Sequence, residues 1–371
     1  MKVTIERGTL LKALSHVQSV VERRNTIPIL SNVLLRAEGG TLALAATDLD
    51  IEIVEQVPAD ADQSGAATAA AVTLFDIVKK LPDGSQVELE KTSSGRLRLA
   101  AGQSEFSLAI LPEEDFPSLP QADDGQAFTM PTADLARLID KARFAMSQEE
   151  TRYYLNGIYL HAFEQDGESS LRAVSTDGHR LARLDADIPP GAEGMAGVIM
   201  PRKAVLELRR LLDDAGETVD VLVSAGRMRF RFDDIALTTK LIDGTFPDYA
   251  RVIPEGNDKI MRVSPAEFAK SVDRVSTVSA DKTRSVKLAI EGDRLQLNVN
   301  SPETGTATED MSVDYPGDAI EIGFNAKYLL DITAQIDGET VTFAFGDTAS
   351  PTVITDEDDP RALYVLMPLR V

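Results

Sequence analysis

The sequence predicts an α+β fold made of three similar modules, each with two helices packed on antiparallel sheets. Three observations support this prediction. An amphipathic helix pattern occurs three times, a pair of alternating strands follows each occurrence, and a second helix pattern follows each pair of strands. With 371 residues, the chain is long enough for two or three domains that each bury a core.

The first helix of each module is predicted from apolar residues that recur every three or four positions, which places them on one helix face. The third copy follows Ser264-Pro265-Ala266-Glu267, a capping box with proline in the first turn, and this motif marks a helix start. The three predicted helices are Leu10–Val21, Leu135–Met146 and Phe268–Val278.

Alternating apolar and polar residues around glycine-containing turns follow each helix and predict hairpins. The hairpins span Asn32–Leu44, Gly157–Phe163 with Leu171–Val174, and Val286–Leu297. The second helices are predicted over Leu74–Leu81, Pro201–Leu212 and Asn325–Ile336. Further alternating strands complete the modules at Val87–Glu90, Val219–Val223 and Val341–Phe345.

Polar segments rich in proline, glycine and acidic residues separate the modules. They are Pro120–Gly125 and Pro254–Asp258, each just beyond a Phe-Pro turn. We therefore expect domains at residues 1–122, 127–253 and 255–371.

Composition excludes several functional classes. Without cysteine there is no disulfide, thiolate nucleophile or cysteine-ligated metal. No apolar run has the length of a membrane span, and the charged N-terminal stretch does not resemble a signal peptide, so a cytoplasmic location is expected. The net charge of −22 would repel phosphate at long range, so any contact with DNA requires a local basic surface.

Such a surface is predicted on the first helices, opposite their apolar stripes. Equivalent positions four residues apart hold Lys or Arg in five of six cases, although acidic residues outnumber basic ones 60 to 38 in the chain. The six positions are Lys12 and His16, Arg137 and Lys141, and Lys270 and Arg274. The second helices repeat the pattern less strictly, with Lys79, Lys203 and Arg210, and it weakens at Lys327 beside Asp331.

These basic faces allow two interpretations. For a single helix, a solvated charged face with no function explains the pattern. Recurrence at matched positions in an acidic chain favours binding to phosphate, and the absence of zinc-finger, RNP-type or glycine-clamp motifs favours contacts that ignore base sequence.

The turn Asp177-Gly178-His179-Arg180 is the candidate for an enzyme site, because an aspartate and a histidine lie close together. No nucleophile, phosphate loop or metal-binding motif accompanies it, so no catalytic residue, cofactor or metal is predicted. Three hypotheses remain: a ring that encloses DNA, an enzyme that uses Asp177 and His179, and a DNA-binding protein that never closes.

Several motifs resemble the family of bacterial DNA polymerase III beta subunits, the sliding clamps, from the first residue to the last. They are Arg152–Gly157, Thr176–Leu181, Val198–Lys203, Phe246–Tyr249 and Tyr364–Val371, together with Thr26–Leu30 and Met1–Arg7. The resemblance implies a head-to-tail homodimeric ring of clamp domains, lined by helices, that encircles double-stranded DNA. It also implies a non-catalytic processivity factor whose holoenzyme keeps polymerase and 3'-5' exonuclease activities on other subunits.

The resemblance implies three sets of site residues. DNA contacts are expected from Arg24, Lys12, Lys79, Arg137, Lys141, Glu149, Tyr153, Tyr154, Arg202, Lys203, Arg210, Lys270 and Arg274. A cleft for a short peptide of the replicative polymerase alpha subunit, the clamp loader, other polymerases and repair proteins is expected from Leu155, Thr176, Gly178, His179, Arg180, Leu181, Pro247, Arg251, Val252, Asn325, Tyr328, Val365, Met367, Pro368, Leu369 and Arg370. At the dimer interface, Phe106 and Leu108 would meet the region of Thr277 and Val278 of the other chain.

Two residues depart from the family pattern. Glu149 stands where a familiar member has a DNA-contacting glutamine, and Thr283 stands where the cleft of that member has an aromatic residue.

Overall fold

The computed structural model describes residues 1–22, 26–120, 124–279 and 285–370. Arg24 and Thr283 lie outside the described residues. Within the described residues, strands and helices follow one another in the same order in each predicted module, with one additional strand in the first. This repetition agrees with the α+β fold and the three modules predicted from the sequence.

The first module contains β1 (Lys2–Glu6), α1 (Arg7–Val17), β2 (Asn32–Glu38), β3 (Thr41–Thr47), β4 (Ile51–Pro58), β5 (Asp60–Gln63), β6 (Gly65–Ala70), α2 (Ala71–Lys80), β7 (Gln86–Lys91), β8 (Arg96–Ala101) and β9 (Ser104–Ala109). The second contains β10 (Gln126–Pro131), α3 (Thr132–Ala142), β11 (Gly157–Gln165), β12 (Glu168–Thr176), β13 (Arg180–Asp187), β14 (Val198–Pro201), α4 (Arg202–Leu212), β15 (Thr218–Ser224), β16 (Arg227–Phe232) and β17 (Ile235–Lys240). The third contains β18 (Lys259–Val263), α5 (Pro265–Ser276), β19 (Ser285–Glu291), β20 (Arg294–Ser301), β21 (Gly305–Ser312), β22 (Ile320–Asn325), α6 (Ala326–Thr333), β23 (Val341–Phe345), β24 (Thr352–Asp356) and β25 (Ala362–Leu366).

Helix starts follow from capping side chains. Ser264 accepts a hydrogen bond from the backbone N–H of Glu267, which confirms the predicted start of α5. Glu6 accepts one from the N–H of Thr9 at 2.8 Å and starts α1 three residues before Leu10, the predicted first residue. The predicted end of α1 is also different, because a short 3-10 turn at Gln18–Val20 replaces its last residues.

The structure separates into two compact units. The first comprises Met1–Leu135, Pro189–Ala192 and Lys203–Leu241, and the second comprises Ala136–Ile188, Glu193–Arg202 and Ile242–Val371. The predicted module boundaries do not coincide with this division, because the middle module contributes strands to a sheet in each unit.

The first unit contains a five-stranded sheet of order β5-β1-β7-β8-β9 and an eight-stranded sheet of order β10-β15-β16-β17-β4-β3-β2-β6. In the eight-stranded sheet, β17 of the middle module pairs antiparallel with β4 of the first module, from Ile235↔Glu55 to Thr239↔Ile51. Apolar residues of α1, including Leu10, Leu14 and Val17, are completely buried in this unit.

The second unit contains an eight-stranded sheet of order β14-β11-β12-β13-β25-β24-β23-β18 and a four-stranded sheet of order β21-β20-β19-β22. Here β13 of the middle module pairs antiparallel with β25 of the third, from Arg180↔Leu366 to Leu184↔Ala362. The core of this unit includes Phe268 of α5, whose ring lies 5.1 Å from that of Phe343 on β23. No helix among the described residues is long and apolar enough to cross a membrane.

Candidate peptide cleft and basic helix faces

The pairing of β13 with β25 brings the predicted cleft residues of the second unit together. Leu181 is the register partner of Val365, and both belong to a buried apolar cluster with Leu155. Beside this buried cluster, Met367 is 40% exposed and Val252 is 50% exposed. Large apolar side chains in water beside an apolar floor are typical of a site that receives hydrophobic anchors from a partner.

A hydrogen-bonded turn at residues 176–180 holds the polar part of the cleft. The Asp177 carboxylate accepts hydrogen bonds from the N–H groups of His179 and Arg180, at 2.9 and 3.1 Å. The Thr176 hydroxyl accepts one from the Gly178 N–H at 3.0 Å. Gly178 has φ of +87°, a conformation that strains any residue with a side chain. A Cβ atom at this position would lie 2.6 Å from Nη1 of Arg152.

The segment after β25 is fixed to this turn and to β22. The N–H of Met367 donates to the carbonyl of His179 at 2.9 Å, and the N–H of Leu369 donates to the carbonyl of Gly323 at 2.8 Å. The His179 ring stacks on Tyr328 with centroids 6.3 Å apart. Residues distant in sequence therefore contact one another at this surface.

Arg180 anchors the turn from beneath. Its guanidinium lies 4.3 Å from the centre of the Tyr328 ring and donates to Asp331 at 2.5 Å and to Asp177 at 3.1 Å. Burial, with help from the negative charge of Asp177, raises the pKa of Tyr328. These contacts give Arg180 a structural role and leave His179 as the exposed polar group of the turn.

The same contacts argue against an acid/base site at Asp177 and His179. Both oxygens of Asp177 accept hydrogen bonds from its own turn and from Arg180, and the side chain of His179 is stacked on Tyr328. Among the described residues there is no group of three His, Cys, Asp or Glu that could hold a metal ion.

The remaining cleft residues lie at its margins. Pro247 and Arg251 are exposed, with Arg251 bound to Asp248 at 2.8 Å. Asn325 caps α6 through the N–H of Lys327. Pro368 is partly buried and Arg370 is exposed.

The basic faces of the first helices differ from the prediction at two positions. The prediction that all six side chains face outward is wrong for His16 and Lys141, which are only 4% and 8% exposed. His16 lies between Glu55 at 2.8 Å and Asp214 at 3.0 Å. Acidic groups from distant segments of the chain cover these two positions. A helical wheel shows only the residues of the helix itself, so it does not reveal these acidic groups.

Carboxylates also form ion pairs with most of the other cations at the six predicted positions of the first helices. Lys12 binds Asp214 at 2.9 Å, and Arg137 and Lys141 share Asp359 at 2.5 and 3.1 Å. Lys141 also binds Asp337 at 2.8 Å, Lys270 is 4.0 Å from Glu267, and Arg274 pairs with Glu309.

On α4, Lys203 pairs with Asp48 and lies 3.3 Å from Glu22. Arg210 donates to the carbonyls of Ser15 and His16 at 2.9 and 2.8 Å. Lys79 is exposed beside the Phe75 ring, and Arg202 is partly exposed. No local pattern predicts the partner acids, since Arg137 and Asp359 are 222 positions apart.

The expected DNA-contacting aromatic residues lie next to the cleft. Tyr153 is 52% exposed, and its ring meets Tyr154 edge to face with centroids 5.8 Å apart. Tyr154 packs on the cleft's apolar cluster. Glu149, which replaces the expected glutamine, binds Arg152 at 2.7 Å.

The two predicted interface patches belong to different units of the structure. Phe106 and Leu108 are partly buried on β9, an edge strand of the five-stranded sheet. Thr277 is exposed and Val278 partly buried just after α5.

Similarity to solved structures defines the class of this protein. A Caulobacter crescentus beta sliding clamp with bound PEG superposes with a TM-score of 0.97 at 56% identity, covering all of both chains. A sliding clamp from Bartonella birtlesii bound to griselimycin superposes with a TM-score of 0.98 at 46% identity over the same full coverage. The fold is therefore that of a DNA sliding clamp.

Sequence comparison narrows the class to one family. Models of the DNA polymerase III beta subunit match residues 1–120 as its N-terminal, 129–248 as its central and 250–370 as its C-terminal domain. Beta sliding clamps of Caulobacter vibrioides NA1000 / CB15N and Escherichia coli K12 are 56% and 38% identical over the whole of each chain. The chain belongs to the DNA polymerase III beta subunit family. Its role is accordingly that of a processivity subunit in DNA replication, and not that of a catalytic subunit.

Proposed function

We propose that two copies of this chain close head to tail into a ring around duplex DNA, and that the cleft tethers replication and repair proteins to it. The observation that carries the proposal is the cleft itself. It combines a buried apolar floor, exposed Met367 and Val252, and an ordered polar turn, which suits a short peptide with hydrophobic anchors.

Partner binding is proposed for the replicative polymerase alpha subunit, the clamp loader, other polymerases and repair proteins. Each would insert apolar side chains over Leu155, Leu181 and Val365, while His179 and the exposed backbone near Met367 orient the peptide. The proposed domains are 1–122, 127–253 and 255–371, and the proposed location is the cytoplasm, where these partners act.

Ring closure is proposed to use edge strands. β9 lies at the edge of a sheet in the first unit, and β21 lies at the edge of a sheet in the second. Each copy therefore has two edge strands, β9 and β21, that are available for pairing with another copy. Phe106 and Leu108 of one copy would then meet the region of Thr277 and Val278 of another. Because each contact joins two different surfaces, the copies form a closed ring only when the rotation that relates one copy to the next is correct. The ring proposed here needs two copies.

DNA contact is proposed through the basic set already named, together with Tyr153, Tyr154 and Glu149. Because Asp214, Asp359 and Glu309 already bind the first-helix cations, phosphate has to compete with them. The resulting attraction is weak and independent of base sequence, which suits a protein that slides and is retained by enclosure.

A run-off experiment tests enclosure. The protein is loaded by a clamp loader onto nicked circular DNA, and the circle is then cut once. We expect retention on the circle and loss from the linear product, because a ring leaves over free ends. Equal retention on both forms would indicate an open DNA-binding protein and would overturn the proposal.

A paired substitution tests the cleft. We expect His179→Ala with Met367→Ala to weaken binding of the polymerase alpha subunit by about tenfold or more, as loss of buried anchors does at other interfaces. Retention on circular DNA should stay unchanged. Val72→Ala, an exposed apolar residue on α2, is the matched control. Normal polymerase binding by the double variant would contradict the proposal that this cleft binds partner proteins.

A further inference from the structure

Three arginines stand in a row on one face of β16, in the first unit. Arg227, Arg229 and Arg231 alternate with Met228, Phe230 and Phe232, which are buried. Because alternate side chains of a strand leave the same face, the three guanidinium groups share one side of the eight-stranded sheet, roughly 6.8 Å apart from one to the next.

Among the described residues, these arginines lack the acidic partners that several other strand arginines have. In the part of the chain that the structure describes, the side chains of Arg229 and Arg231 form no hydrogen bond or ion pair. Arg227 reaches the carbonyl of Pro120 at 3.5 Å, and its buried Nε has no partner among the described residues. In a chain of net charge −22, these three neighbouring arginines form no ion pair among the described residues.

Several strand arginines elsewhere have acidic partners. Arg98 on β8 binds Glu88 and lies 3.2 Å from Glu105. Arg294 on β20 binds Asp310 through two hydrogen bonds, at 2.9 and 2.8 Å. The row on β16 is therefore not a general property of arginines in this protein.

Three of the acidic side chains near the row accept hydrogen bonds from other donors, whereas the fourth, Asp234, is exposed. Asp220 accepts from the Thr129 hydroxyl at 2.7 Å, and Asp233 accepts from the Gly216 N–H at 3.1 Å. Glu52 accepts from the Leu119 N–H at 3.3 Å. Burial raises the pKa of Glu52 despite that bond and the nearby Arg229.

A shallow depression lies on each side of Arg229 and Arg231. One has a volume of about 670 Å³ and the other about 260 Å³. Besides the two arginines, the residues that line the larger depression include Thr129, Leu222 and Asp220, and those that line the smaller one include Val54, Gln56, Glu52, Asp233 and Asp234. The surface thus carries three arginines along its centre, with Asp220 on one flank and Glu52, Asp233 and Asp234 on the other.

We propose that the arginine row is a second docking site, which binds an extended acidic segment of a partner protein. Carboxylates at alternate positions of an extended peptide repeat at the same spacing as alternate residues of β16, so that one segment can meet all three arginines. Guanidinium groups bind carboxylates through two parallel hydrogen bonds, a geometry that lysine lacks.

Single-stranded nucleic acid fits this surface less well. Such ligands bind by stacking bases on exposed aromatic rings in addition to phosphate contacts. Phe128, the aromatic residue that lines the larger depression, is 5% exposed and offers no such platform. The inference depends neither on the peptide cleft nor on ring closure, since all of its residues belong to the first unit.

Binding of a labelled peptide to the full-length chain tests the proposal. The probe is a ten-residue peptide of alternating glutamate and threonine, and the control probe has glutamine in place of glutamate. We expect fluorescence anisotropy to show binding of the glutamate peptide only. Arg229→Gln with Arg231→Gln should weaken that binding by about tenfold for each arginine, the usual effect of losing a hydrogen bond to a charged group.

Arg294→Gln is the matched control, because it removes a strand arginine that already has an acidic partner, and it should leave peptide binding unchanged. Equal binding of the glutamine peptide, an equal loss in the Arg294→Gln variant, or tighter binding of oligothymidylate at the row would each overturn the proposal. Should the double variant unfold, Arg231→Glu at the exposed end of the row replaces it, with the same loss of binding expected. Unchanged binding in that variant would overturn the proposal as well.

Discussion

His16 is a buried side chain that bridges two carboxylates. Its two ring nitrogens lie 2.8 Å from Glu55 and 3.0 Å from Asp214, an arrangement that only the doubly protonated ring satisfies with two donors. Burial opposes the charged ring, but hydrogen bonds and attraction from the two carboxylates outweigh it and raise the pKa of His16 above its ordinary value. The stability of the first unit therefore depends on pH through the protonation of His16.

The pH dependence of stability follows from the direction of that shift. A raised pKa in the folded state stabilises the fold fully below the ordinary histidine pKa of about 6.5, and this contribution is lost as pH rises through the raised value. We expect the free energy of unfolding to fall from about pH 6 to about pH 9, and to fall less in His16→Gln. Urea denaturation at both pH values measures this.

His179→Gln is the control for that experiment, because His179 is exposed and stacks on Tyr328 without an acidic partner in the described chain. The free energy of unfolding of the His179→Gln variant should depend on pH in the same way as that of the protein without substitutions. The same dependence in His16→Gln would show that the bridge to Glu55 and Asp214 does not couple stability to pH.

At the scale of the helices, each first helix presents cations that are already bound by acids. Asp359, in the loop before β25, binds both Arg137 and Lys141 of α3. Burial would raise the pKa of Asp359, but the hydrogen bonds from these two cations outweigh it, so the pKa lies below its ordinary value. The carboxylate is therefore ionised at neutral pH and competes with DNA phosphate.

Removal of this carboxylate should strengthen DNA binding. In Asp359→Asn, we expect Arg137 and Lys141 to gain phosphate contacts, with a log–log salt slope that is steeper by about 0.9 for each phosphate gained. Anisotropy of a short labelled duplex, measured at several salt concentrations, tests this. Asp310→Asn, which releases Arg294 on a sheet, should change the slope less. An unchanged slope in Asp359→Asn would show that α3 does not meet the DNA backbone.

The helices themselves were largely predictable from local sequence, and their partners were not. Periodicity located α5, and the Ser264 cap fixed its start. The start of α1 was missed because Arg7, Gly8 and Thr9 do not continue the apolar pattern, although Glu6 caps them. The acids that bind the helix cations come from distant segments, and no periodic pattern relates them. The cleft residues were identified through the family resemblance, since no local pattern links Leu155 with Val365.

At the scale of the molecule, the middle module shares both of its sheets with its neighbours. β17 pairs with β4 in one unit and β13 pairs with β25 in the other. The repeat in the sequence indicates three modules, whereas the contacts in the structure form two units. Local alternation identifies a strand but does not specify its partner in another module, so this pairing was not predictable.

The shared sheet leads to a prediction about an isolated first module. A fragment of residues 1–122 would leave β4 as an unpaired edge with four buried side chains on one face. Because exposed edges pair with other strands, we expect the fragment to self-associate as concentration rises. Light scattering after size exclusion measures this. Val54→Lys in the same fragment should reduce the association, and a fragment that stays monomeric at every concentration would contradict the prediction.

The turn beside the proposed cleft requires glycine at position 178, because glycine has no Cβ atom. Its backbone conformation disfavours every other amino acid, and the guanidinium of Arg152 occupies the space that a methyl group would need. Substitution here would disturb the turn and Arg152 together. Exposed Met367 and Val252 are free of that restriction, so substitution of those two side chains is the route by which the proposed cleft changes its surface without disturbing the turn.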